Sequence, residues 1–351
     1  MELSWKKGAC FPMKISESLS RQLATVTFVA TVLVVMCHCD DVMSNKNGIV
    51  RFLGGIFTDA NVANFFFLSG FFVARHYKED RWYRKAIIGR LRTLGVPYLA
   101  WCLIYLCIYG CATMVGACHP QAGLFDVHRV FGIGLLTQPI DFALWYIKTL
   151  FYFIIVSPLF FGLQNRYRIA FPGMAVTLLL FKISPLGSSP MFGFCFNIVG
   201  FICFLLGGEM VFRNEVRSMF LCDDKRSWRK GGVPLILWIS CALCVNYLEG
   251  TSRSVVHPLY VLFAVYCLQR TIACIPFRIG ETFVKASFLI YASHLIILTL
   301  VSPLINKFFG GVPVLCFSIL VAVPVLGGVV LMIALRNISR TTLALLTGGR
   351  G

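Results

Sequence analysis

The end of the first apolar stretch carries an imidazole and a carboxylate at a spacing that suits acid–base chemistry. His38 stands in VVMCHCDD, and Asp41 follows three residues later. Residues three apart share one face of an α-helix, so Asp41 is expected to orient the imidazole if the helix continues past it. An imidazole held in this way can remove a proton from a hydroxyl. The alternative is an interfacial histidine that ends the stretch, with Asp40 and Asp41 as solvated loop charges.

A basic cluster precedes the third apolar stretch, in RWYRKAIIGRLRTLGVPYLAW. Its candidate binding residues are Arg84, Lys85, Arg90 and Arg92. Arginine binds phosphate well because its planar guanidinium donates to two oxygens at once. At a membrane edge this cluster suits a phosphorylated ligand. It suits equally well a role in orienting the chain and contacting anionic lipid headgroups.

Further candidate site residues are polar or amphipathic side chains inside apolar stretches. Ser69 stands in NFFFLSGFF, where Ser69-Gly70 would let another backbone approach closely, so helix packing explains this pair as well as chemistry does. Trp145 and Tyr146 open a later stretch and are typical of a membrane interface. Lys148 lies inside that stretch and needs a partner or a polar cavity.

A polar stripe runs along the apolar stretch SFLIYASHLIIL. Ser287, Tyr291 and His294 recur at intervals of about one helical turn, which places them on one helix face. Packing is the ordinary explanation, and Tyr291 and His294 stay candidate site residues. No metal site is predicted, because the fifteen cysteines do not form pairs at metal-ligand spacing.

The composition requires lipid around these residues. The chain has 351 residues, of which 58% are hydrophobic and 13% are charged, and its mean hydropathy is +0.79. A soluble domain is about one quarter charged. Apolar stretches of roughly 20 residues, the length that crosses a bilayer as a helix, recur along most of the chain. They are continuous rather than alternating, which favours helices over a barrel.

We predict an all-α polytopic membrane protein with about ten transmembrane helices and both termini in the cytoplasm. The whole chain, 1–351, forms one domain with its helical core at about 20–335. Alternate loops, beginning with the N-terminal one, carry about four times as many Lys and Arg as the others, as expected of cytoplasmic loops. These loop positions explain the net charge of +17 without nucleic acid. The predicted spans are 22–38, 60–75, 94–116, 142–162, 168–184, 192–212, 233–248, 255–276, 285–305 and 312–335.

The segments together resemble the acyltransferase 3 family of integral membrane acyltransferases. The matching pieces appear in the family's order: VVMCH, FFFLSGFF, RLRTLGVPYLAW, LWYIKTLF, GFICFLLGG and SFLIYASHLI. The resemblance covers about residues 20–335 and implies transfer of an acyl group, usually acetyl, from cytoplasmic acyl-CoA to a carbohydrate hydroxyl. The expected partners are acyl-CoA, a cell-envelope carbohydrate and the lipid bilayer, in a bacterial cytoplasmic membrane. Acetyl-CoA is then a donor substrate, and no metal is expected.

The resemblance assigns the role of base or relay to His38 and contact with the CoA phosphates to Arg90 and Arg92. One departure is Thr27, which stands where the family often has Arg or Lys, and the nearest basic residue is Arg21. Either the register shifts here or another residue replaces that contact. Direct transfer and an acyl-enzyme relay are both open, and a transporter or flippase for a polysaccharide or lipid-linked sugar is the alternative function.

Overall fold

The computed structural model describes residues 15–43, 47–77, 79–116, 142–184, 197–221, 227–246, 248, 250–276 and 279–349, in which every regular element is a helix. In chain order the helices are α1 Glu17–Val42, α2 Gly48–Ala74, α3 Trp82–Arg90, α4 Val96–Met114, α5 Trp145–Arg166, α6 Ala170–Ile183, α7 Ile198–Phe212, α8 Asn214–Phe220, α9 Trp228–Asn246, α10 Gly250–Cys274, α11 Glu281–Phe309, α12 Pro313–Ile338 and α13 Arg340–Thr347. This confirms the all-α prediction for the described residues.

Seven helical segments within the described residues are long and apolar enough to cross a membrane: Glu17–Val42, Trp82–Met114, Trp145–Arg166, Trp228–Val245, Val255–Cys274, Glu281–Phe309 and Pro313–Ile338. Three shorter apolar segments, Ala60–Ala74, Ala170–Ile183 and Ile198–Phe212, lie at the second, fifth and sixth predicted spans. Large apolar side chains such as Leu159, Ile236 and Val330 are exposed, as expected of a surface that faces lipid. The chain is therefore a multi-pass membrane protein.

Helix α2 occupies the centre of the bundle. It packs most extensively against α7 and also contacts α1, α5 and α10. Helices α1 and α11 run parallel, because three contacts between them follow one another in the same order along both helices. These contacts are the ring pair Phe28 and Phe283 at 5.9 Å, the ring pair His38 and His294 at 5.2 Å, and the hydrogen bond from Asn306 to the Val42 carbonyl at 2.9 Å.

The third predicted span begins earlier than expected, because α3 and α4 form one continuous helix. Pro97 has no N–H to donate to the Thr93 carbonyl one turn earlier, and a π-helical segment, Leu91–Gly95, carries the chain past this point without a break. Helix α13 packs against the same place: Gly348, at φ +64, lies on the Thr93 carbonyl, and Trp101 Nε1 donates to the Leu346 carbonyl at 3.1 Å. The basic cluster therefore lies on a continuous helix against which α13 packs.

The contact between α2 and α7 depends on glycines. A Cβ atom at Gly70 would overlap the backbone carbonyl of Phe204, and one at Gly207 would overlap the carbonyl of Phe67. The prediction that Ser69-Gly70 admits a neighbouring backbone is thus confirmed at Gly70. The contact is surrounded by the completely buried side chains of Phe66, Phe67 and Phe204. The space between the two helices is therefore filled and cannot accept a methyl group.

Gly70→Ala is expected to destabilise the protein by forcing α2 and α7 apart. Insertion of a methylene into a packed core costs typically about 1–3 kcal/mol, and more where backbone must move. Thermal unfolding of the purified protein in mild detergent measures the effect. Gly173→Ala on α6 is the matched control, since a methyl group added there would meet no other atom within 4 Å. Equal melting temperatures for the two variants would contradict the requirement for close approach.

Candidate active site

A cavity of about 700 Å³ opens among five helices, and it is the centre of the candidate site. Its wall comes from α1, α2, α3 with the π-helical segment, α5 and α11. The polar and charged residues that line it are Thr27, Thr31, Ser69, His76, Glu79, Lys85, Arg90, Thr93, Tyr146, Lys285, Ser287 and Tyr291. The remaining lining is mainly apolar, with Phe65, Phe72, Trp82 and Phe288 contributing rings. A cavity of this composition suits a long ligand with one charged and one apolar part.

The mouth of the cavity holds a charged group in the connection between α2 and α3. His76 Nδ1 lies 2.5 Å from Glu79 Oε1, and Lys85 Nζ lies 3.7 Å from Glu79 Oε2. The hydrogen bond from His76, together with the nearby charges of His76 and Lys85, holds the pKa of Glu79 below its ordinary value. Glu79 is therefore a carboxylate at neutral pH. Arg90 also lines the cavity and is half-buried.

The inner part of the cavity carries three hydroxyl groups. Ser69 Oγ and Tyr146 Oη lie 2.6 Å apart, and the Tyr146 hydroxyl donates to the Phe65 carbonyl at 3.1 Å. The Tyr291 hydroxyl donates to the Ala143 carbonyl, which ties α11 to the start of α5. Because these hydroxyls are held by backbone carbonyls or by each other, they form a fixed polar surface inside an apolar wall.

A pair of histidines lies beside Tyr291. The rings of His38 and His294 are 5.2 Å apart, and the rings of Tyr291 and His294 are 6.1 Å apart. His294 is completely buried; its Nδ1 donates to the Tyr291 carbonyl at 2.6 Å, and its Nε2 has no hydrogen-bond partner among the described residues. Neither histidine lines the cavity. Tyr291 therefore lies where the cavity and the histidine pair meet.

Helix α1 continues past His38 to Val42, as the pairing of His38 with Asp41 required. His38 Nδ1 lies 3.4 Å from Asp41 Oδ2, and their side chains are 18% and 67% exposed. The distance is longer than that of a good hydrogen bond. His38 and Asp41 lie in the last turns of α1, beyond Thr27 and Thr31, the residues of this helix that line the cavity.

The family model of the acyltransferase 3 family, described as an acyltransferase domain, matches residues 26–333, which is nearly the whole chain. The chain belongs to the acyltransferase 3 family. It is therefore a membrane acyltransferase. Searches of curated proteins and of solved structures found no match.

The acyltransferase brings several predicted site residues together and leaves others apart. One cavity is lined by Lys85, Arg90, Ser69, Tyr146 and Tyr291. A separate group next to it consists of His38, Asp41 and His294. Arg84 and Arg92 are exposed and do not line the cavity. The Trp145 ring packs against the Phe66 ring, with their centroids 6.1 Å apart. Lys148 is buried and does not line the cavity. No group of three or more potential metal ligands occurs within the described ranges.

Five polar residues that line the cavity of the acyltransferase were not identified from the sequence: Thr31, His76, Glu79, Thr93 and Lys285. The three-residue spacing of His76 and Glu79 was a detectable signal, of the same kind as that of His38 and Asp41. Lys285 also has a charged residue one turn away, Glu281, but that spacing indicates an ordinary ion pair on a helix surface and does not point to a cavity. Thr27 was noted only because it departs from the family pattern, and in the structure it lines the cavity.

Proposed function

We propose that this acyltransferase moves an acyl group, by default acetyl, from cytoplasmic acyl-CoA to a hydroxyl of a cell-envelope carbohydrate, in a bacterial cytoplasmic membrane. One observation carries the proposal. The cavity is lined by the cations Lys85, Arg90 and Lys285 and by several hydroxyl groups, and an imidazole pair with one partly exposed member lies just beyond it. Such an arrangement provides separate approaches for a phosphorylated donor and a hydroxyl acceptor.

The directions of the helices support the proposed ten spans. If only the seven long segments crossed the membrane, four crossings would lie between α1 and α11. Two helices separated by an even number of crossings run antiparallel, so α1 and α11 would then be antiparallel. Since α1 and α11 run parallel, an odd number of crossings separates them, so the chain has at least one crossing besides the seven long segments. If the three shorter apolar helices all cross, the count is ten, and α1 and α11 begin at the same membrane face. The distribution of Lys and Arg among the loops indicates that this face is cytoplasmic.

This orientation assigns the two approaches to opposite membrane faces. Lys285 lies in the second turn of α11, and the residues of α1 that line the cavity, Thr27 and Thr31, precede His38. The cavity is therefore on the cytoplasmic side of the histidine pair, where acyl-CoA is made. His38 lies eleven residues after Thr27, about 16 Å along the helix at 1.5 Å per residue. It therefore lies toward the outer face, where a cell-envelope sugar arrives.

In the proposed reaction, the acceptor oxygen attacks the thioester carbonyl carbon, a C–O bond forms and the C–S bond breaks. The acceptor hydroxyl loses its proton to His38, and that proton leaves with the CoA thiol. Asp41 orients the His38 ring through Nδ1, and His294 packs against the ring and restricts its movement. The base nitrogen is then Nε2 of His38.

Tyr291 determines how the acyl group reaches His38. Its ring stands between the cavity lining and His294, with its hydroxyl on the Ala143 carbonyl. In a direct transfer Tyr291 moves aside and the thioester passes to the histidine pair. In a relay the acyl group is first taken by a protein group at the inner end of the cavity. Label bound covalently to the protein after acid quenching distinguishes the relay from direct transfer.

Reconstituted protein incubated with radiolabelled acetyl-CoA and fractionated envelope glycans tests the proposal. We expect alkali-labile label to appear in a carbohydrate fraction, with release of free CoA in equal amount. Movement of a glycan across the membrane without consumption of acetyl-CoA would identify a transporter or flippase instead. Absence of label from every glycan, with acetyl-CoA intact, would contradict the proposed donor.

A further inference from the structure

The cavity mouth has a cation from a helix outside the predicted basic cluster. Within the described residues, the permanently charged groups that line the cavity are Glu79, Lys85, Arg90 and Lys285. Lys85 and Arg90 belong to α3, whereas Lys285 belongs to the first turns of α11. An anion that enters the mouth therefore meets positive charge from two different elements of the wall.

Lys285 lies at the level where α1 offers no charge. The ring centroids of Phe28 and Phe283 are 5.9 Å apart, which sets these parts of α1 and α11 at one level of the bundle. The Thr27 and Lys285 side chains leave their helices in other directions than these two rings, and both line the cavity. Thr27 is neutral, and its hydroxyl donates to the Leu23 carbonyl of its own helix at 2.8 Å.

Arg21, the nearest cation on α1, is not available for this role. It stands six residues before Thr27, about 9 Å away along the helix, and it does not line the cavity. A shift in register along α1 therefore does not restore a charge beside Thr27. The cation at this level comes from α11.

The resting partner of Lys285 is easily exchanged. Lys285 Nζ lies 2.7 Å from Glu281 Oε1, one helical turn earlier, and the two side chains are 47% and 80% exposed. Exposed ion pairs of this kind contribute little to stability. A phosphate group inside the cavity mouth has more charge and less competing water than Glu281, so it binds the ammonium group more strongly.

We propose that Lys285 binds a phosphate group of the acyl donor, opposite the contacts made by Lys85 and Arg90, and thereby supplies the cation that Thr27 does not. This inference rests on the proposed function, because it requires a phosphorylated acyl donor in the cavity. Lys285 exchanges Glu281 for phosphate when the donor binds. The donor is then held from both α3 and α11.

Binding of acetyl-CoA and of acetyl-pantetheine to the purified protein in neutral-lipid nanodiscs tests the role of Lys285. Acetyl-pantetheine carries the same thioester without the nucleotide phosphates. Lys285→Gln is expected to weaken acetyl-CoA binding about 10- to 100-fold, the value of a hydrogen bond to a charged group. It is expected to leave acetyl-pantetheine binding unchanged. Lys307→Gln, at the other end of α11, is the matched control and should match wild type for both ligands.

A second variant tests the same charge without relying on one substitution. Thr27→Arg combined with Lys285→Gln returns a cation to this level from α1, and it should recover most of the lost acetyl-CoA affinity. Glu281→Gln removes the competing carboxylate, so it should bind acetyl-CoA at least as tightly as wild type. Recovery in the combined variant would show that Lys285 acts through its charge and not through packing.

Three results would overturn the inference. The first is wild-type affinity for acetyl-CoA in Lys285→Gln, and the second is an equal loss for acetyl-pantetheine, which indicates a structural role. The third is a loss that appears only in nanodiscs containing anionic lipid, which assigns Lys285 to a lipid headgroup. In each of these cases wild-type protein still binds acetyl-CoA. Wild-type protein that neither binds nor consumes acetyl-CoA would instead contradict the proposed function itself.

Discussion

His38→Ala is expected to reduce acyl transfer by about 10²- to 10⁴-fold, the contribution that a positioned general base usually makes. The imidazole is the partly exposed member of the histidine pair, and Asp41 lies 3.4 Å from its Nδ1. Removal of the ring leaves the acceptor hydroxyl without a proton acceptor, whereas the donor cavity keeps its lining. The measurement is the initial rate of label transfer from acetyl-CoA to glycan, with donor binding determined separately.

The binding measurement separates catalysis from folding in this prediction. His38→Ala should bind acetyl-CoA as wild type does, because His38 does not line the cavity. His257→Ala on α10 is the matched control, and it should retain full activity. Asp41→Asn keeps a polar group of the same shape, so it should lose less activity than His38→Ala. Full activity in His38→Ala would contradict the assignment of His38 as the general base. Failure of this variant to bind acetyl-CoA would instead show that His38 has a role in the donor site.

Features that depend on neighbours along one helix were predictable from the sequence. The pairing of His38 with Asp41 required only that α1 continue to Val42, which it does. The close approach at Gly70 followed from a small residue in an aromatic run, although the partner, Phe204, was not foreseen. Both predictions rest on helix periodicity, which is a local property of the chain.

Features that depend on contacts between distant segments were not predictable in the same way. The stripe containing Tyr291 and His294 was recognised, but its position against His38 depends on the packing of α1 beside α11. Lys285 fell outside the basic cluster because that cluster was defined by adjacency in the chain, whereas the cavity collects residues from five helices. Arg92 was included both as part of that cluster and through the family resemblance, but its side chain is exposed and does not line the cavity.

The α-helical segments that the composition predicted also contain a buried ionic network that it did not predict. Glu209 is 4% exposed in its side chain, and its Oε1 lies 3.4 Å from Nε of Arg213. Gln164 Nε2 donates to Glu209 Oε2 at 3.1 Å, and Arg213 Nη2 donates to the Gln164 carbonyl at 2.8 Å. This network connects the last turn of α5 to the last turn of α7. Glu209 therefore compensates a cation that the fold has largely removed from water.

Glu209→Ala is expected to destabilise the acyltransferase by about 3–5 kcal/mol, because removal of one partner leaves a buried charge without compensation. It also removes the carboxylate that accepts from Gln164. The measurement is thermal unfolding in detergent, followed by the reaction of a thiol dye with buried cysteines such as Cys203 on α7. The dye should react at a lower temperature than in wild type.

Glu215→Ala is the matched control, because Glu215 pairs with Arg168 at the same 3.4 Å distance while both side chains are mostly exposed. An exposed pair contributes only about 0–1 kcal/mol, so this variant should unfold almost as wild type does. Replacement of both network partners, Glu209→Met with Arg213→Met, should recover part of the loss, since no charge is then left buried. If Glu209→Ala and Glu215→Ala unfold at the same temperature, burial does not decide the strength of these pairs. If the double variant is less stable than Glu209→Ala, Arg213 stabilises the fold mainly through the Gln164 carbonyl rather than through Glu209.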